Sequence, residues 1–369
     1  MKITCDRMEL LEALSGVSRA VSPKSSIPAI EGIHFKSEND SITLTAYDLD
    51  LGIITSVIAS VEEPGEIVIN SRLLIDMVRR IDSDTVTIKT DPSLKITVTG
   101  GITKFNFIGI SASDFPEMPI PDTEETFSIE SSSLKKMIGK TLYAVATDTQ
   151  KPVHTGIKFI IEDRVLTMVS VDGYRMAVCR NEGISDSIDK SFIVPGKTMN
   201  ELNKLLNDSD SKVLINTAKR SAVFKLDGYT MVTRLLEGDF LDYKKALPQG
   251  YKTRVKLKVR NLSDSVERAS LIINERFKSP VKISFSGNTA TVTCNTALGN
   301  SYDEIPCEIE GSTVEIGFNN RYLNDALKNS GCEEVFFEIS GPTSPMKVLP
   351  TEGDDFKFLV LPVRIKNEI

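Results

Sequence analysis

The chain has few of the residues on which several protein classes depend. Its 369 residues include no tryptophan, two histidines and five cysteines. The cysteines are widely separated and form no Cys-x-x-Cys pair, so we expect reduced, mostly buried thiols instead of a disulfide framework or a zinc site. His34 and His154 lie too far apart for a two-histidine metal motif. No apolar run reaches the ~18 residues of a membrane span, and Asp6 interrupts any signal-peptide core, which predicts a cytoplasmic protein.

The motifs of common enzyme classes are also missing. The sequence contains no G-x-x-x-x-G-K-[ST] phosphate-binding loop, no G-x-G-x-x-G motif after a strand and no G-x-S-x-G nucleophile elbow. Asp48 and Asp50 come nearest to a paired-carboxylate metal site, but an Asp-x-Asp turn is usually a solvated loop. We therefore predict that the protein is not an enzyme and has neither a metal nor a cofactor.

An internal repeat is the strongest organising signal in the chain. Segment 28–35 (PAIEGIHF) matches segment 152–159 (PVHTGIKF), and identities continue at a constant spacing of 124 residues as far as Asp48 and Asp172. A third, weaker copy begins near Pro280 and keeps the alternation of apolar residues. Because Asp48 and Asp172 are equivalent positions of the repeat, a turn-forming role is favoured over a catalytic pair.

Each copy is flanked by strands that run into amphipathic helices. Apolar residues at three-and-four spacing predict helices over 7–21, 72–81, 131–143, 197–206, 262–273 and 319–330. Short runs of period two between Gly, Asn, Asp and Pro predict roughly eight strands in each copy. We expect an α+β protein of three repeated domains, 1–122, 123–250 and 251–369, each with two helices against antiparallel sheets.

Charge is distributed unevenly along the chain. The whole sequence has 44 basic and 51 acidic residues, but the six predicted helices hold 13 basic and 7 acidic ones. Solvated helix faces are one explanation. Alternatively, helices at equivalent places in three repeats would share one side of a closed ring. At about 8–10 Å between axes, six helices leave almost no hole, whereas twelve from two chains leave a bore of roughly 25 Å, wide enough for duplex DNA. A head-to-tail dimer is the smallest such ring.

Four segments resemble landmarks of the bacterial DNA polymerase III β subunit family, the DNA polymerase sliding clamps. They are 170–179 (SVDGYRMAVC), 237–248 (EGDFLDYKKALP), 274–277 (NERF) and 360–364 (VLPVR). The resemblance implies three clamp-type domains that close into a ring as a head-to-tail homodimer. It also implies a processivity factor for DNA replication, which encircles duplex DNA without sequence specificity and has no nucleotide hydrolysis or 3′–5′ exonuclease activity. Its implied partners are the replicative DNA polymerase, the clamp loader and repair proteins, held through short peptide motifs.

Duplex DNA inside such a ring would face basic residues of the helices and adjoining loops, and contacts to phosphate are independent of base sequence. By position, the residues expected to face DNA are Lys24, Arg72, Arg79, Arg80, Lys135, Lys136, Lys140, Lys151, Lys197 and Lys204.

The resemblance implies a second site, a hydrophobic peptide-binding pocket between the second and third domains. A concave apolar wall with a few polar anchors suits an extended peptide with aliphatic and aromatic side chains. Core packing is the alternative for Met176, Val360 and Leu361, and a surface ion pair is the alternative for Arg175 and Arg364. The implied pocket residues are His154, Thr155, Val171, Gly173, Tyr174, Arg175, Met176, Leu241, Ala246, Phe277, Asn319, Tyr322, Pro345, Val360, Leu361, Pro362, Val363 and Arg364.

The dimer interface would resemble that of the family if Phe105 of the first domain meets Leu271 and Ile272 of the third. Interior packing within each domain is the alternative for these three residues. Leu241 departs from the family, which often has proline there. A repeated α+β protein-binding scaffold that does not act on DNA is the alternative function, and it predicts no retention on circular DNA.

Overall fold

The computed structural model describes residues 1–121, 125–148, 150–184, 189–273 and 279–365. Phe277, the motif 274–277 and the tail 366–369 lie outside the described residues. The α-helices are α1 (Arg7–Val17), α2 (Ser71–Arg80), α3 (Ser131–Leu142), α4 (Gly196–Leu205), α5 (Tyr243–Ala246), α6 (Val259–Ser270) and α7 (Asn320–Ser330). Short 3-10 helices span Ser18–Ala20, Pro28–Glu31, Ala112–Asp114 and Pro152–Thr155.

Strands make up most of the regular secondary structure, and every strand pair described is antiparallel. The first nine strands are β1 (Lys2–Asp6), β2 (Gly32–Glu38), β3 (Ser41–Tyr47), β4 (Leu51–Glu63), β5 (Gly65–Asn70), β6 (Thr85–Thr90), β7 (Lys95–Gly100), β8 (Thr103–Ile108) and β9 (Glu125–Glu130). The next eight are β10 (Gly156–Glu162), β11 (Val165–Val171), β12 (Arg175–Asn181), β13 (Lys190–Pro195), β14 (Lys212–Thr217), β15 (Ser221–Leu226), β16 (Tyr229–Arg234) and β17 (Thr253–Lys258). The last eight are β18 (Val281–Ser286), β19 (Thr289–Thr296), β20 (Gly299–Pro306), β21 (Glu308–Gly311), β22 (Val314–Phe318), β23 (Glu334–Ile339), β24 (Met346–Pro350) and β25 (Phe356–Val360).

The six helices predicted from apolar spacing are all present, and the α+β prediction is confirmed. Three of these helices start at capping residues: the side chains of Asp6, Asn70 and Asn319 accept backbone N–H bonds at the first turns of α1, α2 and α7. The first helix is shorter than predicted, because its last turn is a 3-10 helix at Ser18–Ala20. The sequence did not predict α5, whose four residues are too few for a period to show.

The repeat is visible in the strands. β2, β3 and β4 begin 124 residues before β10, β11 and β12. The carboxylate of Asp48 accepts hydrogen bonds from the backbone of Asp50 (3.0 Å) and Leu51 (2.8 Å). Asp172 does the same with Tyr174 and Arg175, both at 2.9 Å. The turn-forming role predicted for the two aspartates is confirmed.

The chain forms two compact units. The first contains Met1–Ser132 and Lys204–Leu235, and its strands form a twelve-stranded sheet. The order along its main path is β8-β7-β6-β1-β4-β16-β15-β14-β9. The pairing of β4 with β16 joins a strand of the first predicted domain to one of the second. We call this pairing, together with β3, β5 and the linker 110–118, the first junction.

The second unit contains Ser133–Asn203 and Leu236–Ile369. It holds a nine-stranded sheet in the order β13-β10-β11-β12-β25-β24-β23-β17-β21 and a four-stranded sheet in the order β20-β19-β18-β22. Its core includes buried residues of α6 and α7, such as Leu262 and Leu323. The pairing of β12 with β25 joins the second and third predicted domains. We call this pairing, together with β11, β13 and the linker 236–247, the second junction.

The cysteines are free, and Cys5, Cys179, Cys294 and Cys307 are buried, as expected. Burial raises the pKa of the Cys5 and Cys179 thiols to about 12, so both stay protonated at neutral pH. Among the described residues, no helix combines the length and the apolar character needed to cross a membrane.

Candidate functional site

The second junction brings distant segments of the chain together. In the β11–β12 hairpin Val171 pairs with Met176, and the intervening turn uses Gly173 at a φ of 92°. Across the junction, Met176 pairs with Leu359, and the backbone N–H of Leu361 donates to the carbonyl of Tyr174 at 2.9 Å. The segments 171–176 and 360–361, which contain residues implied by the resemblance, are therefore neighbours.

Arg175 is held between two carboxylates and two aromatic rings. Its Nε donates to Asp172 at 2.9 Å, and its Nη1 donates to Asp325. The guanidinium lies 4.8 Å from the ring centroid of Tyr322 and 5.3 Å from that of Tyr143. Burial alone would lower the pKa of Arg175, but the hydrogen bonds and charges of Asp325 and Asp172 raise it above its usual value. Arg175 is thus a largely buried cation and not a surface ion pair.

Aromatic and capping contacts continue from Arg175 onto α7. The rings of Tyr174 and Tyr322 stack with centroids 5.6 Å apart. Asn319 caps α7 by accepting from the backbone of Arg321 (2.9 Å) and Tyr322 (3.3 Å), which fixes Tyr322 in the first turn. These contacts place Asn319 and Tyr322 beside the β11–β12 hairpin.

An apolar cluster lies beneath the junction. It contains Val171 and Met176, and the linker segment 240–247 packs against it, including Ala246. Met176 is 2% exposed and Val360 is fully buried, so the core-packing alternative holds for both side chains in this structure.

Other apolar residues of the implied pocket reach solvent. Leu361 is 36% exposed, and Tyr174, Leu241 and Val363 are exposed as well. A surface cleft of about 370 Å³ is lined by Pro342, Thr343, Pro345, Leu361, Pro362, Val363 and Arg364. It adjoins Tyr174 through the Leu361 hydrogen bond, and its walls combine proline, aliphatic side chains and one cation.

His154 and Thr155 lie at the start of β10. The ring of His154 meets Phe240 edge-on at 5.4 Å, and burial, with a smaller effect of Lys151, lowers its pKa. The hydroxyl of Thr155 donates to the carbonyl of Pro152 at 2.7 Å. Sequence reasoning missed Tyr143 and Asp325, which hold Arg175 but stand outside the segments that resemble the family.

The residues expected to face DNA differ in how exposed they are. On α2, Leu74 and Val78 are buried while Arg72, Arg79 and Arg80 are exposed. The solvent-exposed residues of the set outside α2 are Lys24, Lys136, Lys151, Lys197 and Lys204, and Lys135 is half-buried.

Lys140 does not fit the expectation. It bonds Asp355 and lies 4.4 Å from the ring centroid of Phe356, so its charge is already compensated within the protein. We therefore leave Lys140 out of the set proposed to face DNA.

Two of the strands at the ends of the sheets are β8 and β20. Among the described residues, β8 pairs with β7 alone and β20 pairs with β19 alone. Ile108 on β8 is 69% exposed, and Phe105 on the same strand is partly buried. Leu271, just after α6, is 84% exposed, whereas Ile272 packs partly against the core of the second unit. Unpaired strand edges with exposed apolar residues can pair with a strand of another chain.

Comparison with known proteins decides the family. The model of the DNA polymerase III beta subunit, N-terminal domain, matches residues 1–119, that of the central domain matches 128–242, and that of the C-terminal domain matches 244–364. The chain belongs to the DNA polymerase III beta subunit family. The Beta sliding clamp of Staphylococcus epidermidis is 28% identical over 99% of both sequences.

Solved structures of the beta subunit family share the fold over the same length. A DNA polymerase sliding clamp from Bacillus subtilis is 27% identical with a TM-score of 0.95, and the match covers 99% of this chain and 100% of that one. A sliding clamp from Pseudomonas aeruginosa, solved bound to griselimycin, is 28% identical with a TM-score of 0.94 at the same coverage.

Proposed function

We propose that the protein is a sliding clamp: a processivity factor that encircles duplex DNA as a head-to-tail homodimer and tethers the replicative DNA polymerase. The observation that carries the proposal is the match of all three beta-subunit domain models along the chain. Such a protein acts by staying on DNA and not by turnover, and its place of action is the cytoplasm. The clamp loader and repair proteins are proposed as further partners.

The open edges of β8 and β20 support ring closure. An edge strand offers a row of unpaired N–H and C=O groups, and β8 of one protomer can pair with β20 of the next. Because β8 and β20 belong to different units, each protomer would present one edge to either neighbour, which is the head-to-tail arrangement. Phe105, Leu271 and Ile272 would then lie at or near the interface.

The basic side chains would act weakly and without sequence preference. Lys and Arg contacts to phosphate supply affinity that falls steeply with salt. In a closed ring such contacts can be weak, because the DNA escapes only when an interface opens. Weak contacts also allow the ring to move along the duplex.

The cleft beside Leu361 is the proposed site for partner peptides. Its proline and aliphatic walls suit apolar anchors, and Arg364 offers a polar contact at the rim. Tyr174 and Tyr322, stacked on each other and backed by Arg175, form a rigid wall beside it. Met176 and Val360 would support the cleft from beneath.

A charge at Leu361 tests this site. We expect Leu361→Asp to weaken binding of a labelled peptide with Gln, Leu and Phe anchors at least tenfold, because the substitution removes apolar contact and places a carboxylate in the cleft. Fluorescence anisotropy measures the affinity. Leu214→Asp is the matched control, since Leu214 is 42% exposed on β14 of the other unit and should leave binding unchanged. Equal affinity of Leu361→Asp and the wild type would refute the assignment.

A further inference from the structure

The two junctions share one backbone design. In each junction, two residues pair across a hairpin, and the second of them also pairs with a residue of a strand from the following domain. The pairing register is the same in the two junctions. The corresponding ladders are Tyr47–Gly52–Val232 and Val171–Met176–Leu359. The repeat spacing of 124 residues relates Tyr47 to Val171 and Gly52 to Met176.

The linkers that follow are also equivalent. Each linker forms an isolated β-bridge with the strand that precedes a helix. Further along each linker, a phenylalanine ring contacts the residue at the same position of the repeat. The bridges are Val68–Ile110 and Ile193–Leu236. The phenylalanine contacts are Phe115 with His34, at 5.3 Å between rings, and Phe240 with Lys158, at 5.9 Å from the ammonium to the ring. The first junction therefore presents the same framework as the proposed peptide site.

The first junction differs at the place of Met176, beneath the proposed peptide cleft. Gly52 has no side chain, and Met118 of the linker covers it: a Cβ built on Gly52 would stand 1.9 Å from the Met118 sulfur and 3.2 Å from the Tyr47 ring. Methionine is flexible and fills irregular apolar spaces well. The chain itself thus occupies the position that Met176 fills in the second junction.

The rim of the first junction also differs from that of the second. The hydrogen bond from Leu361 to Tyr174 has its counterpart in a bond from the Arg234 N–H to the Asp50 carbonyl, also 2.9 Å. The side chains of Arg234 and Asp50 form an exposed ion pair at 3.5 Å. A charged pair thus stands where the second junction exposes Leu361 and Tyr174.

We propose that the first junction is a second peptide groove of the same design, closed by Met118 seated on Gly52 and made polar at its rim by Arg234 and Asp50. Its occupant in this chain is the linker residue Met118. Once vacated, it would accept the same apolar-anchored peptides as the cleft beside Leu361, an inference that rests on the proposed peptide-binding function. Met118 thereby limits each protomer to one peptide.

The test counts peptides per protomer. Native mass spectrometry and calorimetry are performed on the dimer with the Gln, Leu and Phe peptide for four proteins: the wild type, Met118→Gly, the triple variant Met118→Gly/Asp50→Tyr/Arg234→Leu, and Asp50→Tyr/Arg234→Leu with Met118 retained. We expect one peptide per protomer for the wild type and the Met118-retaining control, and two for the triple variant. Adding Leu361→Asp should weaken the single site of the wild type at least tenfold and should leave the triple variant with one unweakened site.

The outcomes separate the two proposals. No peptide on the wild type would refute the proposed function of the Leu361 cleft. One peptide on the wild type and still one on both vacated variants, each folded and dimeric, would overturn the latent groove. Should the triple variant fail to fold, the single Met118→Gly variant decides: the proposal requires a second, weaker binding event, and its absence at saturation of the first site contradicts it.

Discussion

Asp172 and Asp48 make the same turn in two repeats, and Asp172 also binds the buried guanidinium of Arg175. At the position of Arg175 the first repeat has Leu51. Asparagine can still accept the backbone hydrogen bonds of the turn, so Asp→Asn removes mainly the charge. We expect Asp172→Asn to lower the free energy of unfolding by about 1–3 kcal/mol, because Arg175 keeps one carboxylate, Asp325. Urea unfolding measures this.

Asp48→Asn is the matched control for the turn and should cost less than Asp172→Asn, because Leu51 stands where Arg175 stands in the second repeat. Equal losses for the two variants would show that the turn and not the buried ion pair determines the effect. The repeat alone predicted the turns. It did not predict the partners of Arg175, because Tyr143 and Asp325 come from helical segments whose spacing says nothing about which strand they meet.

His34 predicts a pH dependence. Its imidazole lies 3.3 Å from Glu66 and stacks on Phe115, and burial lowers its pKa below the ordinary 6.5 despite the nearby carboxylate. Below about pH 6.5 the unfolded chain therefore takes up protons before the folded one, and the free energy of unfolding falls as the pH falls. His34→Gln should flatten this decline in urea unfolding between about pH 6.5 and 5. An unchanged slope would contradict the assignment.

At the scale of elements, the open edge of β8 makes the strongest prediction. We expect Ile108→Asp to convert the dimer to a monomer of 40.7 kDa, because a carboxylate at the edge repels the acidic residues Asp303 and Glu304 of β20 and removes apolar contact. Light scattering after size exclusion measures the mass.

Ile58→Asp is the control for that experiment. Ile58 is 78% exposed, but it pairs with Ser41, and its strand, β4, is an internal strand of the sheet that pairs with β1, β3 and β16. This variant should remain dimeric. A dimeric Ile108→Asp, or a monomeric Ile58→Asp, would place the interface elsewhere.

The helices could be predicted from sequence because their apolar spacing is local. The order of strands could not. The sequence shows alternation in β8, but which strand lies at an edge depends on pairings between residues far apart in the chain, such as β4 with β16. The exposed edges and the Met118 contact on Gly52 therefore emerged only from the folded structure.

At the scale of the whole molecule, attraction to DNA and closure of a ring have different consequences. The chain has a net charge of −7, and its basic excess lies in the helical segments. Attraction alone would give binding that weakens steeply with salt and is the same for linear and circular DNA. A closed ring would instead be retained by topology, whatever the sequence of the duplex.

Retention on nicked circular DNA tests this claim most directly. The labelled protein is loaded onto circles by a clamp loader, washed at a salt concentration that abolishes phosphate contacts, and followed before and after a restriction enzyme linearises the DNA. We predict long retention on the circles and rapid release from the ends after cutting. Loss from circles and linear DNA at the same rate would contradict a closed ring and favour a scaffold that does not act on DNA.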